Sequence, residues 1–344
     1  MPHTDNYLSE VKRVVLAHGA GGRMSRDLIK RLILKHFTHP TLCRLEDSAV
    51  FDVPSGRLAL TTDSYVVQPL FFPGGDIGKL AVAGTVNDLL CAGAKPLYLS
   101  LALVIEEGFS VEDLDSILAS ASGEAAAVGV EVICGDTKVV ERGKGDGLFV
   151  NTSGVGLVPP KVSFSPQNVQ AGDAILITGP IGDHGITVIS QREGFAFTSQ
   201  LKSDCASLAT LVERILSPSL GVRCLRDPTR GGLGSILAEI ALDGAVGIQV
   251  EEEHIPVRDE VRGACELLGL DPLYVANEGK MVLFVAPERA EEVLSRMKKD
   301  PRGKESAIIG RVVAEHPEMA VLKTRIGGSR IIDLPAGELL PRIC

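Results

Sequence analysis

The spacing of apolar residues in the first half of the chain switches repeatedly between helical and strand-like periods. Apolar positions three and four residues apart predict helices, whereas continuous or alternating apolar runs predict strands. The predicted helices cover residues 25–37, 78–92 and 111–128. The predicted strands cover residues 57–61, 97–105, 130–134 and 148–158.

The second half of the chain mixes the two kinds of element in the same way. Its predicted strands cover residues 174–178, 248–251, 281–286, 307–313 and 320–324, and its predicted helices cover residues 205–216, 233–242, 257–268 and 288–298. Because no long strand–helix–strand series appears, the pattern predicts α+β domains rather than one doubly wound sheet.

The length of the chain predicts two domains. It has 344 residues, and a single hydrophobic core rarely grows beyond about 250–300 residues. The pair Pro159-Pro160 begins a connecting segment. We therefore expect an N-terminal domain over residues 1–160, a C-terminal domain over residues 161–333, and a flexible tail over residues 334–344.

Composition and charge narrow the class of partner. A net charge of −9, no Trp and only four Tyr argue against nucleic acid, which requires a basic face and, for single strands, aromatic stacking platforms. An acidic protein can still bind a nucleotide where Mg²⁺ bridges carboxylates and phosphates. No apolar run approaches the 18 residues of a membrane span, and the polar first residues do not resemble a signal peptide. The odd number of cysteines, seven, favours reduced thiols and a cytoplasmic protein.

Aspartates recur at predicted turns beside Gly, Ser, Thr or Asn. The instances are Asp47-Ser48, Thr62-Asp63-Ser64, Asn87-Asp88, Gly135-Asp136-Thr137-Lys138 and Asp227-Pro228-Thr229-Arg230-Gly231-Gly232. Each alone is more often a turn or a helix cap, but together they predict an oxygen-rich site for a hard cation such as Mg²⁺. Two glycine-rich turns, at His18-Gly19-Ala20-Gly21-Gly22 and at Arg230-Gly231-Gly232, precede predicted helices and can present backbone N–H groups to phosphate.

The chain ends on a cysteine, Cys344, which chance explains poorly. Seven cysteines among 344 residues put one at a given position with a probability of about 2 %. The 11 residues from Leu334 to Cys344 reach roughly 35 Å when extended, enough to carry a thiol between a cleft and a partner. We expect this thiol to be exposed, with a nearly ordinary pKa of about 8.5.

These motifs resemble those of the aminoimidazole ribonucleotide synthetase (PurM-like) superfamily, which includes selenophosphate synthetase and thiamine monophosphate kinase. The resemblance spans nearly the whole chain and also rests on Gly182-Asp183-His184-Gly185 and Asn277-Glu278-Gly279. The ending Pro341-Arg342-Ile343-Cys344 is similar to one member family, the HypE hydrogenase maturation proteins. The resemblance implies a two-domain PurM-like α+β fold, a homodimer formed through the sheet of the N-terminal domain, and an ATP-binding cleft.

The resemblance also implies roles for individual residues. The expected nucleotide-binding residues are His18, Gly21, Gly22, Asp63, Asn87, Asp88, Asp136, Asn151, Asp227, Arg230 and Gly231. The expected Mg²⁺ ligands are Asp47, Asp63, Asp88, Asp136 and Asp227. The expected catalytic residues are Cys344, Glu278 and Lys138. Glu278 is assigned as the base because a carboxylate is ordinarily deprotonated at pH 7, and Lys138 is assigned to electrostatic stabilisation.

The implied activity is that of a carbamoyl dehydratase in [NiFe]-hydrogenase maturation. Cys344 would receive a carbamoyl group from the carbamoyltransferase HypF. ATP-dependent dehydration would then give a thiocyanate, whose cyanide passes to the active-site iron through a HypC–HypD complex. Two alternatives stay open: another ATP-dependent enzyme of the superfamily, of the selenophosphate synthetase or small-molecule kinase type, and a non-catalytic docking protein with a peptide-like tail. The first lacks support from the glycine-rich turn after His18, which contains no cysteine.

Overall fold

The fold was analysed in a computed structural model of the chain. The residues that the structure describes are 11–20, 23–45, 48–49, 51–52, 55–194, 200–337, 340 and 343–344. Among them, no helix is both long enough and apolar enough to cross a membrane.

The N-terminal domain is built on a four-stranded sheet in the order β1-β6-β4-β5. The strands are β1 (Arg57–Tyr65), β4 (Lys95–Glu106), β5 (Glu131–Val140) and β6 (Leu148–Val158), and a small hairpin pairs β2 (Phe71–Phe72) with β3 (Gly75–Asp76). β4 and β5 are parallel, while β6 is antiparallel to both of its neighbours. Side chains along β6 alternate between buried and half-buried, so one face of the sheet packs on helices and the other faces outward.

The helices of this domain differ in how much of their surface is covered. They are α1 (Arg23–Leu28), α2 (Leu34–His36), α3 (Pro40–Cys43), α4 (Ile77–Cys91) and α5 (Val111–Val128), with a π-helical turn between α1 and α2. α4 is buried on nearly all sides, as expected for a helix with little amphipathic character. The Asp76 carboxylate caps it by accepting hydrogen bonds from the N–H groups of Gly78 and Lys79.

The C-terminal domain contains a seven-stranded sheet in the order β13-β12-β9-β11-β7-β10-β8. Its strands are β7 (Ala174–Ile177), β8 (Val222–Arg226), β9 (Gly247–Glu251), β10 (Val282–Val285), β11 (Ala307–Val313), β12 (Ala320–Lys323) and β13 (Ser329–Ile332). Its helices are α6 (Asp183–Glu193), α7 (Ala209–Glu213), α8 (Gly232–Gly244), α9 (Asp259–Leu268) and α10 (Ala290–Met297). β10 lies in the interior of the sheet and is buried along its whole length.

One hydrophobic core runs through both domains. The same cluster of buried side chains contains Leu80 from α4, Leu211 from α7, Leu283 from β10 and Ile343 from the tail. The domains are also joined by hydrogen bonds, because the buried Asn87 amide donates to the Ala206 carbonyl and accepts from the Leu208 N–H. The relative position of the domains is therefore fixed by packing, and the tail takes part in that packing.

The predicted α+β class is confirmed, and three local differences have physical reasons. The motif 135–138 is not a turn: β5 continues through it to Val140, since pairing with β4 outweighs the weak strand preference of Gly and Asp. α6 was not predicted, because its first turn carries Gly185 and has no regular apolar stripe. The strands β8 and β13 were missed because each has only four or five residues and carries arginine.

Candidate active site

A cleft with a volume of about 830 Å³ lies where the two domains meet the tail. Three of its walls come from the end of β1, from α4, and from the loop between β8 and α8. The fourth is formed by Glu278 and by tail residues that include Cys344. Of the predicted site residues, it brings together Asp63, Asp88, Asp227, Arg230, Gly231, Glu278 and Cys344.

Three aspartates and Glu278 form a cluster of acidic side chains in this cleft. Asp88 accepts a hydrogen bond of 2.8 Å from the Thr61 hydroxyl, and Asp63 accepts one of 3.1 Å from the Tyr65 hydroxyl. Burial, together with the neighbouring Asp227, raises the pKa of Asp88 to about 7. The pKa of Asp227 is also raised, mainly because its carboxyl is buried. Repulsion among these carboxyl groups, together with their burial, therefore keeps Asp88 partly protonated at neutral pH.

The acidic cluster fits a hydrated cation better than a metal held by protein ligands alone. Among the described residues, no three His, Cys, Asp or Glu side chains converge as metal ligands. Mg²⁺ usually keeps several waters and takes only one or two carboxylates plus substrate phosphates. Such a cation would relieve the mutual repulsion of Asp63, Asp88 and Asp227.

Glu278 is the buried member of the acidic cluster, whereas its three aspartates are half-buried. Its side chain is 3 % exposed, and its Oε1 atom has no hydrogen-bond partner within the described part of the chain. Burial, followed by the charges of Asp204 and Asp227, raises the pKa of Glu278 well above its ordinary value. Burial therefore favours the protonated form of this carboxyl in the free protein, in contrast to the ionised form assumed when Glu278 was assigned as a base.

The backbone around Glu278 is held by its neighbours on both sides. Asn277 accepts a hydrogen bond of 2.7 Å from the Gly182 N–H and donates one of 2.8 Å to the Pro228 carbonyl. The Glu278 N–H donates to Asp204 Oδ1 at 3.1 Å. A Cβ atom on Gly279 would collide with the Asp204 carbonyl oxygen, so only glycine permits this approach.

The loop Arg230-Gly231 leads into α8 beside the acidic cluster. Gly231 has φ of +75°, and a Cβ atom there would collide with the Ser235 hydroxyl. Glycine therefore allows the turn that points the N-terminus of this 13-residue helix at the cleft. Helix N-termini favour anions such as phosphate, which agrees with the predicted role of this loop.

Cys344 lies inside the cleft rather than on an exposed arm. The Val66 N–H donates to the Cys344 backbone oxygen at 3.2 Å, and Ile343 is 3 % exposed. Burial, followed by the neighbouring Glu278 carboxyl, raises the pKa of the Cys344 thiol well above its ordinary value. The expected near-ordinary thiol pKa is wrong for this docked position, where the sulfur is held as a thiol.

Three other predicted residues line a different cavity of the same chain. His18, Asp136 and Lys138 surround a space of about 600 Å³ between β5 and the first helices, whose wall includes Ile29 and Phe37. His18 is buried and accepts a hydrogen bond from the Val15 N–H. A single chain therefore does not bring Lys138 and Glu278 to the same cavity.

The two predicted asparagines make hydrogen bonds within the protein. The Asn87 amide bridges backbone atoms of the two domains and also contacts the Glu278 carbonyl at 3.5 Å, so it helps to position Glu278 rather than lining the cleft. Asn151 lies on the outer face of β6 and donates to the Asp63 carbonyl at 2.8 Å. Gly21, Gly22 and Asp47 lie outside the described residues.

Four side chains at the site had no role in the sequence interpretation. Tyr65 contacts Asp63, and the Cys91 thiol donates to Asp227 Oδ1 at 3.4 Å. Asp204 pairs with Lys280 beneath Glu278, with 3.2 Å between Oδ2 and Nζ. His184 contacts the tail. Only His184 belonged to a noted motif, since the other three lie in apolar or irregular segments with no distinguishing spacing.

Comparisons with known proteins extend over both domains. The sequence matches the AIR synthase related protein N-terminal domain over residues 45–158 and its C-terminal domain over residues 170–323. Carbamoyl dehydratase HypE of Azotobacter vinelandii is 51 % identical over 331 residues, which cover 96 % of this chain and 97 % of that protein.

Two solved structures show the same similarity in three dimensions. A crystal structure of the hydrogenase maturation protein HypE in complex with ATP aligns with a TM-score of 0.92 at 46 % identity, over 96 % of this chain and 99 % of the other. A crystal structure of a HypE–HypF complex aligns with a TM-score of 0.79 at 46 % identity, over 90 % of this chain and 99 % of the other.

Proposed function

The chain belongs to the HypE family of carbamoyl dehydratases, within the AIR synthase related proteins, and from this premise we propose that it dehydrates a carbamoyl group carried on the Cys344 sulfur to a thiocyanate. The family predicted from the sequence is thereby confirmed. The observation that carries the assignment to residues is the position of the Cys344 thiol beside Glu278, in a cleft lined by Asp63, Asp88 and Asp227.

The reaction requires that a poor leaving group be replaced by a better one. A carboxamide oxygen does not leave as hydroxide at a useful rate, but it can leave as phosphate after it has attacked the γ-phosphorus of ATP. The nitrogen loses its two protons, the C–O bond breaks, and the products are S–C≡N, ADP and phosphate. ATP is thus consumed as a co-substrate, in agreement with the ATP complex of a 46 % identical relative.

Glu278 serves as the acid–base residue in this proposal, but it starts from the protonated form rather than from the carboxylate assumed in the sequence analysis. As a buried acid, it can first donate a hydrogen bond to the incoming carboxamide. A Mg²⁺ ion held by the neighbouring aspartates would lower the pKa of this carboxyl. Glu278 could then accept the amide proton in the dehydration step.

The acidic cluster is the proposed site for the Mg²⁺ that accompanies ATP. Asp63, Asp88 and Asp227 would hold the ion, with Asp47 and Asp136 as the other predicted ligands. When bound, Mg²⁺ neutralises charge on the transferred phosphoryl group. The loop at Arg230-Gly231 and the N-terminus of α8 would contribute N–H groups and a positive charge to the phosphates.

Lys138 can serve the chemical step only if a second copy of the chain supplies it. Lys138 lies on the outer face of β5, and the same face of the sheet carries Val104, Leu58 and Leu60, the last of which is 77 % exposed. Exposed apolar groups beside an edge strand favour pairing with another copy. We therefore propose a homodimer through this face, in which His18, Asp136 and Lys138 complete the nucleotide site of the partner.

The partners and compartment follow from the chemistry of the thiol. HypF is the proposed carbamoyl donor, since a relative with 46 % identity has been crystallised with it, and the HypC–HypD complex is the proposed cyanide acceptor. All seven cysteines are free, and a carrier thiol must stay reduced, which favours the cytoplasm.

Mass spectrometry of the C-terminal peptide tests the proposed function. After incubation with HypF, carbamoyl phosphate and ATP, we expect a carbamoyl adduct on Cys344 that converts to the lighter thiocyanate. An adduct on Cys91 or Cys205, with none on Cys344, would overturn the proposal. Titration with Mg²⁺ and ATP separates it from the docking-protein alternative, which predicts no heat, and ADP release with selenide or thiamine phosphate would instead support the superfamily alternative.

A further inference from the structure

His184 is a buried polar residue whose motif has no role in the proposed chemistry. It lies in the first turn of α6 and is 0 % exposed. Its Nε2 atom is 2.8 Å from the carbonyl oxygen of Ile343, the residue that precedes Cys344. The contact therefore joins the C-terminal domain directly to the end of the tail.

The hydrogen bonds of His184 define a single tautomer. A carbonyl oxygen can only accept, so Nε2 carries the proton and donates it to Ile343. Nδ1 must then accept, and its partner at 2.8 Å is the Ser203 hydroxyl. The Ser203 oxygen in turn accepts from the Cys205 N–H at 3.0 Å. Every donor in this chain of bonds has an acceptor, and burial keeps the imidazole neutral by lowering the pKa of His184.

Packing fixes the plane of the imidazole and the far side of the tail. The Phe72 ring meets the His184 ring edge-on, with 5.4 Å between centroids and 88° between planes. On the opposite side, the Val66 N–H holds the Cys344 backbone oxygen. The end of the tail is thus bracketed by the two domains, one bond on each side of the Cys344 Cα atom.

We propose that His184 is a positioning residue for the carrier tail: its Nε2–H bond to Ile343 fixes the register that leaves the Cys344 sulfur beside Glu278. The inference rests on the proposed function, in which Cys344 is the carrier. To receive a carbamoyl group at the active site of another protein, the Cys344 thiol must leave the cleft, and this hydrogen bond must break. The bond therefore influences how often the thiol becomes accessible.

Alkylation of the full chain by iodoacetamide, read by peptide mass spectrometry, tests this role. His184→Phe keeps the ring and its packing but loses the donor, and we expect it to raise the labelling rate of Cys344 by about five- to tenfold, the effect of one buried hydrogen bond. His184→Gln, which retains an N–H donor, should recover much of the protection. The buried cysteines Cys205, Cys224 and Cys265 report folding in the same digest.

If His184→Phe does not fold, which labelling of the buried cysteines would show, Ser203→Ala serves as the second test variant. It leaves the imidazole and its Nε2–H donor in place but removes the hydrogen bond that orients the ring through Nδ1, so the bond to Ile343 is weakened. We expect a two- to threefold rise in Cys344 labelling, about the effect of a weakened hydrogen bond. Labelling of Cys344 at the wild-type rate in the folded variants would overturn the proposal. Because the assay needs neither ATP nor a carbamoyl donor, this result is distinct from failure of the proposed function.

Discussion

At the scale of single residues, the cleft is organised around carboxyl groups that folding alone would disfavour. Asp88, Asp227 and Glu278 are held so close together, and so far from water, that the pKa of each is raised. Buried like charges cost stability, and the Mg²⁺ ion proposed to bind among these groups would relieve that cost. Burial and the neighbouring Glu278 likewise favour the neutral form of the docked Cys344 thiol.

Replacing Asp88 by Asn should stabilise the nucleotide-free protein in a pH-dependent way. The folded-state pKa of Asp88 is raised from 3.8 to about 7, so the stability linked to its protonated form is present below pH 3.8 and lost as pH rises through about 7. The melting temperature of the wild type should therefore fall relative to Asp88→Asn over this window. At pH 8 the gap should reach about 1–2 °C for each kcal/mol of destabilisation, because the unfolding entropy of 344 residues is about 0.7 kcal/mol/K.

Thermal melts at pH 4.5, 6 and 8 measure this gap, with the exposed Asp243→Asn as the control that should show none of it. A gap that is largest at pH 4.5 would contradict the assignment of a raised pKa to Asp88. In the presence of Mg²⁺ and ATP the order should reverse, since the wild type alone retains the full set of ligands.

Replacing Glu278 by Gln should stop the reaction after the thiol has been loaded. The amide cannot accept a proton, so the single-turnover rate of dehydration should fall by about 10²–10⁴, the usual contribution of a general base. Peptide mass spectrometry should show the carbamoyl adduct on Cys344 persisting in the presence of ATP. Glu239→Gln, which changes another carboxylate of the same cleft, should alter the rate by no more than a few-fold. Conversion by Glu278→Gln at the wild-type rate would remove Glu278 from the acid–base role.

At the scale of elements, the site is made by loops whose shape depends on glycine and on buried asparagines. Gly279 allows contact with the Asp204 carbonyl, and Asn277 ties the Glu278 segment to the loops at Gly182 and Pro228. These constraints fix the Glu278 backbone within the C-terminal domain, while Asn87 connects the same region to α4. The position of Glu278 is therefore set mainly by hydrogen bonds and close contacts of the backbone around it.

Replacing Gly279 by Ala should displace Glu278 and destabilise the protein. The added methyl group would collide with the Asp204 carbonyl oxygen, and overpacking of this kind typically costs about 1–3 kcal/mol. Gly263→Ala is the matched control, because a Cβ atom there meets nothing within 4 Å and alanine in a helix is favoured by about 0.5–1 kcal/mol. Urea unfolding of both variants gives the two free energies. Equal stability of Gly279→Ala and the wild type would show that the segment can relax.

Sequence patterns predicted elements well where apolar periodicity is strong and poorly where tertiary contacts decide. α5, capped by Ser110 and followed by Gly129 in the left-handed region, has the predicted bounds. The motif at Asp136 and Lys138 was expected in a turn but continues β5, because strand pairing is a non-local contact that local propensity does not report. The predicted acidic residues were found together at Asp63, Asp88 and Asp227, yet no pattern indicated their separation from Lys138 or the docking of Cys344.

At the scale of the whole molecule, the residues predicted to act in one reaction line two separate cavities. Glu278 and Cys344 line the interdomain cleft, while Lys138 and His18 line the cavity beside β5. A chain acting alone would leave the second group of residues without a role in the chemical step. In the proposed homodimer, each site would combine Lys138 of one copy with Glu278 of the other.

Mixed dimers of two inactive variants test this arrangement. Lys138→Ala and Glu278→Gln should each be nearly inactive alone, the first because it lacks the stabilising charge and the second because it lacks the base. After random re-pairing, about half of the dimers are mixed, and each mixed dimer holds one site with both residues intact. About a quarter of wild-type activity should therefore return on mixing.

The outer face of β1 supplies the control for this experiment. Leu60→Glu, placed at a side chain that is 77 % exposed, should prevent pairing because two carboxylates cannot be buried across the interface. It should abolish complementation when present in both variants, and light scattering should report a monomer. The equally drastic Ile326→Glu, at a side chain that is 95 % exposed beyond β12, should leave pairing intact. If mixing restores no activity while mixed dimers are present, Lys138 and Glu278 act within one chain, and the tail-bearing cleft must open toward β5 during the reaction.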